Sequence, residues 1–323
     1  ANSLSTGPEF TFRVDPANTP VIGVRYGRFH IRNPGSDYQG PADNERFTIY
    51  TRWLRQISTP TTLSLNFETS RIHFAPPAPY ASIVRDDLFF RYDFLLLPHN
   101  RQTLDVGTTR LVQYGGQELS RPLALYTGQL FLTSESALRV LLNDHISDTY
   151  SDMLRSVTSL TIPTIPTSQT DASAISSGVA NVAAGDVYHS RGGEFAYVNQ
   201  GGSYGYSLQG FVRRVDFPVS LAQQDYDEKG GRLSLTWPFL LEARVTGCSE
   251  YRRRSFSVSD QQDADRNTGV GVIYKVGRDL TLTAEAGQIE RQSNVPQQAF
   301  VDRRAMLVLG YSTGPLLSPR PRR

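Results

Sequence analysis

Sustained alternation of apolar and polar residues with a period of two is the feature that most limits what this chain can become. Successive side chains of a strand point to opposite faces, so each alternating run reads as a strand with one apolar and one polar side. In residues 63–70, Leu63, Leu65 and Phe67 oppose Ser64, Asn66, Glu68 and Ser70. Leu280, Leu282, Ala284 and Ala286 oppose Thr281, Thr283, Glu285 and Gly287. The same pattern sets Leu233, Leu235 and Trp237 against Ser234 and Thr236, and Val270, Val272 and Tyr274 against Gly269 and Gly271. Many of these runs exceed the about 5–6 residues of a soluble sandwich strand. No motif recurs at the about 40–50-residue period of a propeller. No stretch of about 18 apolar residues exists, so a spanning helix is excluded. The pattern predicts an all-β, closed antiparallel transmembrane β-barrel.

Connections alternate between tight and long. Tight turns are expected at Ser58-Thr59-Pro60, Pro98-His99-Asn100, Thr133-Ser134-Glu135, Trp237-Pro238 and Gly277-Arg278-Asp279. Longer polar links fall near 33–43, 75–84, 115–121, 149–185, 215–228, 258–267 and 293–299. Short periplasmic turns and longer outer loops are the rhythm of outer-membrane barrels. With about 9–11 residues per spanning strand, about 14 strands are expected. The stretch from Glu9 to Val14 also reads as a strand; if it spans, an even count makes sixteen the alternative. The chain then divides into an N-terminal periplasmic segment or extra strand at 1–18, the barrel at 19–312, and a Pro/Arg-rich tail at 313–323. Segment 149–185, rich in Ser, Thr and Ala, is expected as a long surface loop or a plug in the lumen.

Mean hydropathy is −0.35, which suits a barrel whose lipid-facing and lumen-facing residues alternate. Net charge is +2, and of 33 basic residues only Lys229 and Lys275 are lysines. Arginine keeps its charge when partly desolvated and forms fixed forks with carboxylates, as a crowded polar lumen requires. The alternation sends Arg46, Arg52, Glu68, Arg85, Asp87, Arg91, Asp93, Arg139, Glu242, Arg244, Glu285 and Arg304 inward, where they would set width and charge selectivity. Facing lipid at mid-depth, each arginine would cost about 2–4 kcal/mol. Tyr26, Tyr50, Trp53, Phe74, Tyr204, Tyr206, Trp237, Tyr251 and Tyr274 sit toward run ends, as in an interfacial aromatic girdle. Cys248 is the only cysteine, so no intrachain disulfide forms. The first residue is Ala1, as in a fragment or a chain freed of a signal peptide.

The chemistry of an enzyme is not evident. Asp144-His145, taken with Asp86-Asp87, has the residue types of an Asp/Asp plus Asp/His hydrolytic site. Adjacent residues on a strand face opposite sides, however, which breaks the geometry. No G-x-S-x-G occurs. Asp260, Asp263 and Asp265 have oxygen ligands of the kind calcium takes, but a solvated outer loop is the expected reading. No catalytic residue, metal site or cofactor is assigned. Arg252, Arg253 and Arg254, at the outer end of a strand, are expected to contact a glycan or the phosphates of lipopolysaccharide, because guanidinium forks suit phosphate and carboxylate. Near-neutral charge and the lack of a recognition module argue against nucleic acid as a partner.

Three units share one style of turn, alternating strand and polar outer segment: Pro60 to Arg71, Asn100 to Gly107, and Gly277 to Gly287. In these the chain resembles the outer-membrane β-barrel family associated with exopolysaccharide/PEP-CTERM gene clusters, a β-barrel porin 2-like group. The resemblance covers roughly residues 19–312 in style. It implies a place in the outer membrane of a Gram-negative bacterium, among membrane lipids and lipopolysaccharide, with polysaccharide and periplasmic or surface assembly proteins as partners. It carries no catalytic residues to transfer. The expected function is a pore or export conduit for polysaccharide or other polar solutes. The alternatives are a non-conducting scaffold anchoring an envelope assembly and, as a minor one, an outer-membrane hydrolase.

Overall fold

The computed structural model describes residues 2–30, 44–74, 82–95, 100–113, 118–148, 187–199, 201, 204–217, 225–240, 242–276 and 280–311. Segment 149–185 and the tail 313–323 lie outside them, as do the link expected at 33–43 and the turns expected at Pro98-His99 and Gly277-Arg278-Asp279. The strands are β1 (Asn2–Thr6), β2 (Glu9–Thr11), β3 (Asn18–His30), β4 (Asn44–Ser58), β5 (Thr61–Phe74), β6 (Ser82–Leu95), β7 (Arg101–Gln113) and β8 (Glu118–Phe131). They continue as β9 (Ser136–Asp148), β10 (Val187–Asn199), β11 (Gly205–Asp216), β12 (Tyr226–Pro238), β13 (Ala243–Phe256), β14 (Gln262–Lys275), β15 (Leu280–Ser293) and β16 (Phe300–Tyr311). A single 3-10 turn, Pro296–Gln298, is the one helical element among the described residues.

Every strand from β3 to β16 pairs antiparallel with its sequence neighbour, in one continuous sheet. β1 and β2 pair with the two halves of β3 and form one row, interrupted at Gly7-Pro8. Proline has no N–H for a ladder, so the interruption falls where it must. The sheet therefore has fifteen rows, in place of the 14 or sixteen expected. Among the described residues β16 pairs only with β15, and β1 and β2 only with β3, so the sheet is open where a closed barrel was expected. An odd row count has a geometric consequence: both edge rows run in the same direction, so the antiparallel pairing used everywhere else cannot join them.

Tight hairpins occupy one end of the sheet, at 59–60 and 132–135, with the ends of β12 at Pro238 and β13 at Ala243 beside them, and the strand ends that flank 31–43 and 149–186 lie at the other. The β2–β3 turn lies at the tight end. There Asp15 accepts from the backbone N–H groups of Ala17 and Asn18, each at 2.7 Å, and from the Asn18 amide at 2.8 Å. The Asn18 side chain, followed by the Ala17 N–H, holds the Asp15 carboxyl below its ordinary range. This support is present above the ordinary value and is lost as pH falls through the lowered one.

The two faces differ as the alternation requires. Along β4, Asn44, Arg46, Thr48 and Tyr50 are buried while Glu45, Phe47, Ile49 and Thr51 are exposed. Along β5, Ser64, Asn66 and Ser70 are buried while Leu65 and Phe67 are exposed. With no other described element to cover it, one face of a single sheet is buried only because the sheet curls around it. The concave face is polar and the convex face apolar, the reverse of a soluble protein.

Candidate functional site: the charged concave wall

Cross-strand register assembles the concave face. Residues directly opposite in an antiparallel pair share a face with Cβ atoms about 4.5–5.5 Å apart, so partners far apart in sequence meet there. On the wall from β4 to β8, Arg46 pairs with Glu68 at 3.6 Å and donates to Ser70 Oγ at 3.1 Å. Arg52 donates to Asn66 Oδ1 at 2.9 Å. Arg85 lies 2.9 Å from Asp87, which also accepts from the Thr109 hydroxyl at 2.5 Å. Arg91 forms a bidentate fork with Asp105, both bonds at 2.7 Å. Asp93 accepts from Thr103 Oγ1 at 2.6 Å and has Arg101 at 3.8 Å.

On the wall from β9 to β15 the charges form a chain. Glu228, its side chain 1% exposed, sits among three guanidinium groups: Arg213 at 2.5 Å, Arg252 at 3.2 Å and Arg254 at 4.0 Å. Arg252 also pairs with Glu250 at 2.5 Å. Arg254 pairs with Asp265, which accepts from Arg291 at 2.7 and 3.2 Å. Aromatic rings seat the cations: Arg252 over Phe211, Arg254 over Tyr226 and Arg291 over Phe300. Arg139, on β9, has a buried Nε with no hydrogen-bond partner among the described residues. Such a wall is fully charged yet largely compensated within itself. It can hold a polar, hydrated interior and orient small ions. On the same face Ser190 stands directly opposite His145, both buried, with the Asn143 amide 3.4 Å from His145 Nδ1 and donating to Ser190 Oγ at 2.8 Å.

The expected inward residues divide. Arg46, Arg52, Glu68, Arg85, Asp87, Arg91, Asp93 and Arg139 stand on the concave face through register with one another and with buried neighbours. Arg244 pairs with Ile273 and Glu285 with Gly271, both in the concave set. Arg304 is on that face too, but on the edge strand, largely exposed and paired with Asp302 at 2.6 Å. Glu242 is a correction: it lies in the β12–β13 turn, exposed and off the wall, because β12 ends at Pro238 and β13 begins at Ala243. The run at 252–254 also splits. Arg252 and Arg254 point into the wall and only Arg253 reaches the convex side, donating to Gln262 Oε1 at 2.6 Å. The strand's own alternation dictates this.

Asp263 and Asp265 belong to β14, not to an outer loop, and the 258–267 link shrinks to a hairpin at 257–261. Asp265 is committed to two arginines. Among the described residues no group of His, Cys, Asp and Glu is placed to hold a metal. Asp144 and His145 face opposite sides, and Asp144 instead meets His189 at 2.6 Å and Arg191 at 3.1 Å. Asp86 accepts from Thr69 at 2.7 Å, on the face opposite Asp87. The carboxylates of a hydrolytic set are thus apart. Arg213, Glu228, Glu250, Asp105, Asp265 and Arg291 are wall residues absent from the expected set. For Arg213, Glu250 and Arg291 the signal was present, since each sits on the polar side of an alternating run.

On the convex side Trp53, Tyr206, Trp237 and Tyr274 are exposed near the tight-turn end, and Leu65, Phe67, Leu88, Phe90, Leu208, Val212, Leu233 and Val270 lie above them. Tyr50 and Phe74, expected in a girdle, are interior instead; Tyr50 donates to Glu9 at 2.7 Å and ties β2 to the wall. Ion pairs on the convex side differ in exposure, and His189 with Asp144 is largely buried. Arg110 and Glu118 pair at 2.7 Å with both side chains about half exposed. Replacing Arg110 by alanine is expected to change stability by no more than about 1 kcal/mol, as read from a denaturant midpoint.

No protein-family model and no curated protein matches the chain. Solved structures do. The copper transporter OprC aligns with a TM-score of 0.55 at 13% identity, over 95% of this chain and 55% of its own. The FrpB iron transporter from Neisseria meningitidis, F3-3 variant, aligns with a TM-score of 0.56 at 10% identity, over 97% and 58%. Its F5-1 apoprotein form gives 0.52 at 9% identity, over 97% and 58%. The chain spans little more than half the length of these structures. At such identities the likeness is one of fold, and the fold is that of Gram-negative outer-membrane β-barrel proteins. With an apolar convex face and a polar concave one, it places this chain in an outer membrane.

Proposed function

We propose that this protein forms a water-filled conduit across the outer membrane, passing polar solutes or polysaccharide and not acting as an enzyme. The observation that carries the reading is the compensated wall of Arg213, Glu228, Arg252, Arg254, Asp265 and Arg291 behind a lipid-facing apolar surface. So many charges are stable at bilayer depth only beside water or one another. Closure of the sheet belongs to the proposal, because each unpaired edge group in hydrocarbon costs several kcal/mol. Direct pairing of β16 with the β1/β2 row would be parallel. Export as the direction of use, with periplasmic or surface assembly proteins as partners, is proposed from the style of turn and alternating strand in the sequence alone, which resembles exopolysaccharide-associated barrels.

The test is single-channel conductance in a planar bilayer, for the full chain and for a deletion of residues 150–184. Stable conductance of the full chain is expected, with anions preferred. Arg139→Gln is expected to move the reversal potential toward cations, since it removes a wall cation whose buried Nε has no hydrogen-bond partner among the described residues. Silence of the full chain with conductance of the deletion would identify a plug and favour the scaffold reading. Silence of both would overturn the conduit.

A further inference from the structure

On the convex face, β12, β13 and β14 bring three cations together at the long-connection end. Lys229 and Arg253 are directly opposite in register, and Arg266 lies across from Tyr251, one diagonal step from Arg253. All three are exposed. Among the described residues none has a carboxylate within ion-pair distance. Arg253 is engaged only by Gln262 Oε1, and Glu290, opposite Arg266, instead accepts from Gln292 at 2.8 Å. Like charges directly opposed on a sheet are destabilising, and diagonal neighbours about 7–8 Å apart lie within reach of long side chains. The cluster is therefore an arrangement that an anion improves. The nearby convex arginines differ: Arg191 is paired with Asp144 at 3.1 Å and Arg214 with Asp216 at 2.9 Å.

What lies beneath the cations identifies the anion. Toward the tight-turn end the same strands present Gly231, Leu233, Tyr251 and Val270, with the exposed hydroxyls of Ser249 and Thr268 between them, and Gly210 is directly opposite Gly231. A Cβ at Gly210 would meet nothing within 4 Å, so the surface there is open and low. A cationic row above an open, mostly apolar strip complements an amphiphile with a phosphorylated head. A free anion would have no use for the strip.

We propose that Lys229, Arg253 and Arg266 seat the phosphate of a phosphorylated lipid of the outer leaflet, with its acyl chains against Gly231, Leu233 and Val270. The arrangement needs the membrane-spanning fold and is independent of whether the lumen conducts. Arg252 and Arg254 take no part, since they face the other way.

Native mass spectrometry of the detergent-solubilised full chain tests it, with diphosphoryl lipid A as the probe and phosphatidylcholine and inorganic phosphate as comparators. Lipid A is expected to bind in preference to both. Lys229→Gln/Arg253→Gln/Arg266→Gln is expected to weaken it at least about tenfold, the loss of one charge-assisted contact or more. Arg110→Gln, on the convex face of β7, is expected to leave binding unchanged. Because the three side chains are exposed, the triple variant is expected to unfold in lipid-free detergent no more readily than wild type, which separates lost binding from lost folding. Equal lipid A binding by the triple variant and wild type would overturn the site. Displacement of lipid A by an equal concentration of inorganic phosphate would overturn the lipid as its occupant.

Discussion

Glu228→Gln destabilises the folded protein by about 3–5 kcal/mol, the cost of removing one partner from a buried charge group. Glu228 holds Arg213 at 2.5 Å, and its own side chain is 1% exposed. The amide keeps the shape but not the charge, and leaves the Arg213, Arg252 and Arg254 guanidinium groups facing one another across β11, β12 and β13. Arg252 retains Glu250 at 2.5 Å and Arg254 retains Asp265, so the loss lies mainly in the charge removed from Glu228 and in the repulsion now exposed. The measurement is the denaturant midpoint in lipid, with Glu118→Gln alongside. That exposed carboxylate pairs with Arg110, and its loss is expected to cost no more than about 1 kcal/mol. Equal small effects at both positions would show that the wall does not exclude water enough to make Glu228 matter.

Leu233→Arg has the next largest effect, about 2–4 kcal/mol against folding in a bilayer. Leu233 is 43% exposed on the convex face, midway along β12, opposite Leu208 and Ser249. If water bathed that face, the same substitution on an exposed leucine would stay within about 0.5 kcal/mol. The comparison is with Ser234→Arg, one residue away on the concave face, where a guanidinium meets polar neighbours. Refolding into phospholipid vesicles, with the folded fraction read across a urea series, gives both values. A large penalty at 233 and a small one at 234 locates lipid on one side of the strand and water on the other. Equal penalties at both would argue against a membrane-facing convex surface.

Alternation alone makes the two faces of most strands legible. Ser64, Asn66 and Ser70 are buried and Leu65 and Phe67 are outside because side chains of a strand alternate whatever the strand pairs with. The parity of 252, 253 and 254 is legible by the same rule. The lipid-facing role of the apolar side also follows from sequence, since long alternating strands with arginine on their polar side have few stable settings other than a barrel wall. The row count is not legible. It turns on whether a short stretch broken by Gly7-Pro8 lies along β3, and pairing there is settled by β3 and β4, through contacts such as Tyr50 with Glu9.

Which side of each strand is polar depends only on the pleat of the local backbone, so the order of residues is enough to set it. Which charges meet is settled only in the folded sheet. Glu228 finds Arg213, Arg252 and Arg254, and Asp144 finds His189 in preference to its neighbour His145, through the register of paired strands. Register is a property of two strands at once. A shift of one residue would exchange every partner while leaving the sequence pattern of each strand unchanged.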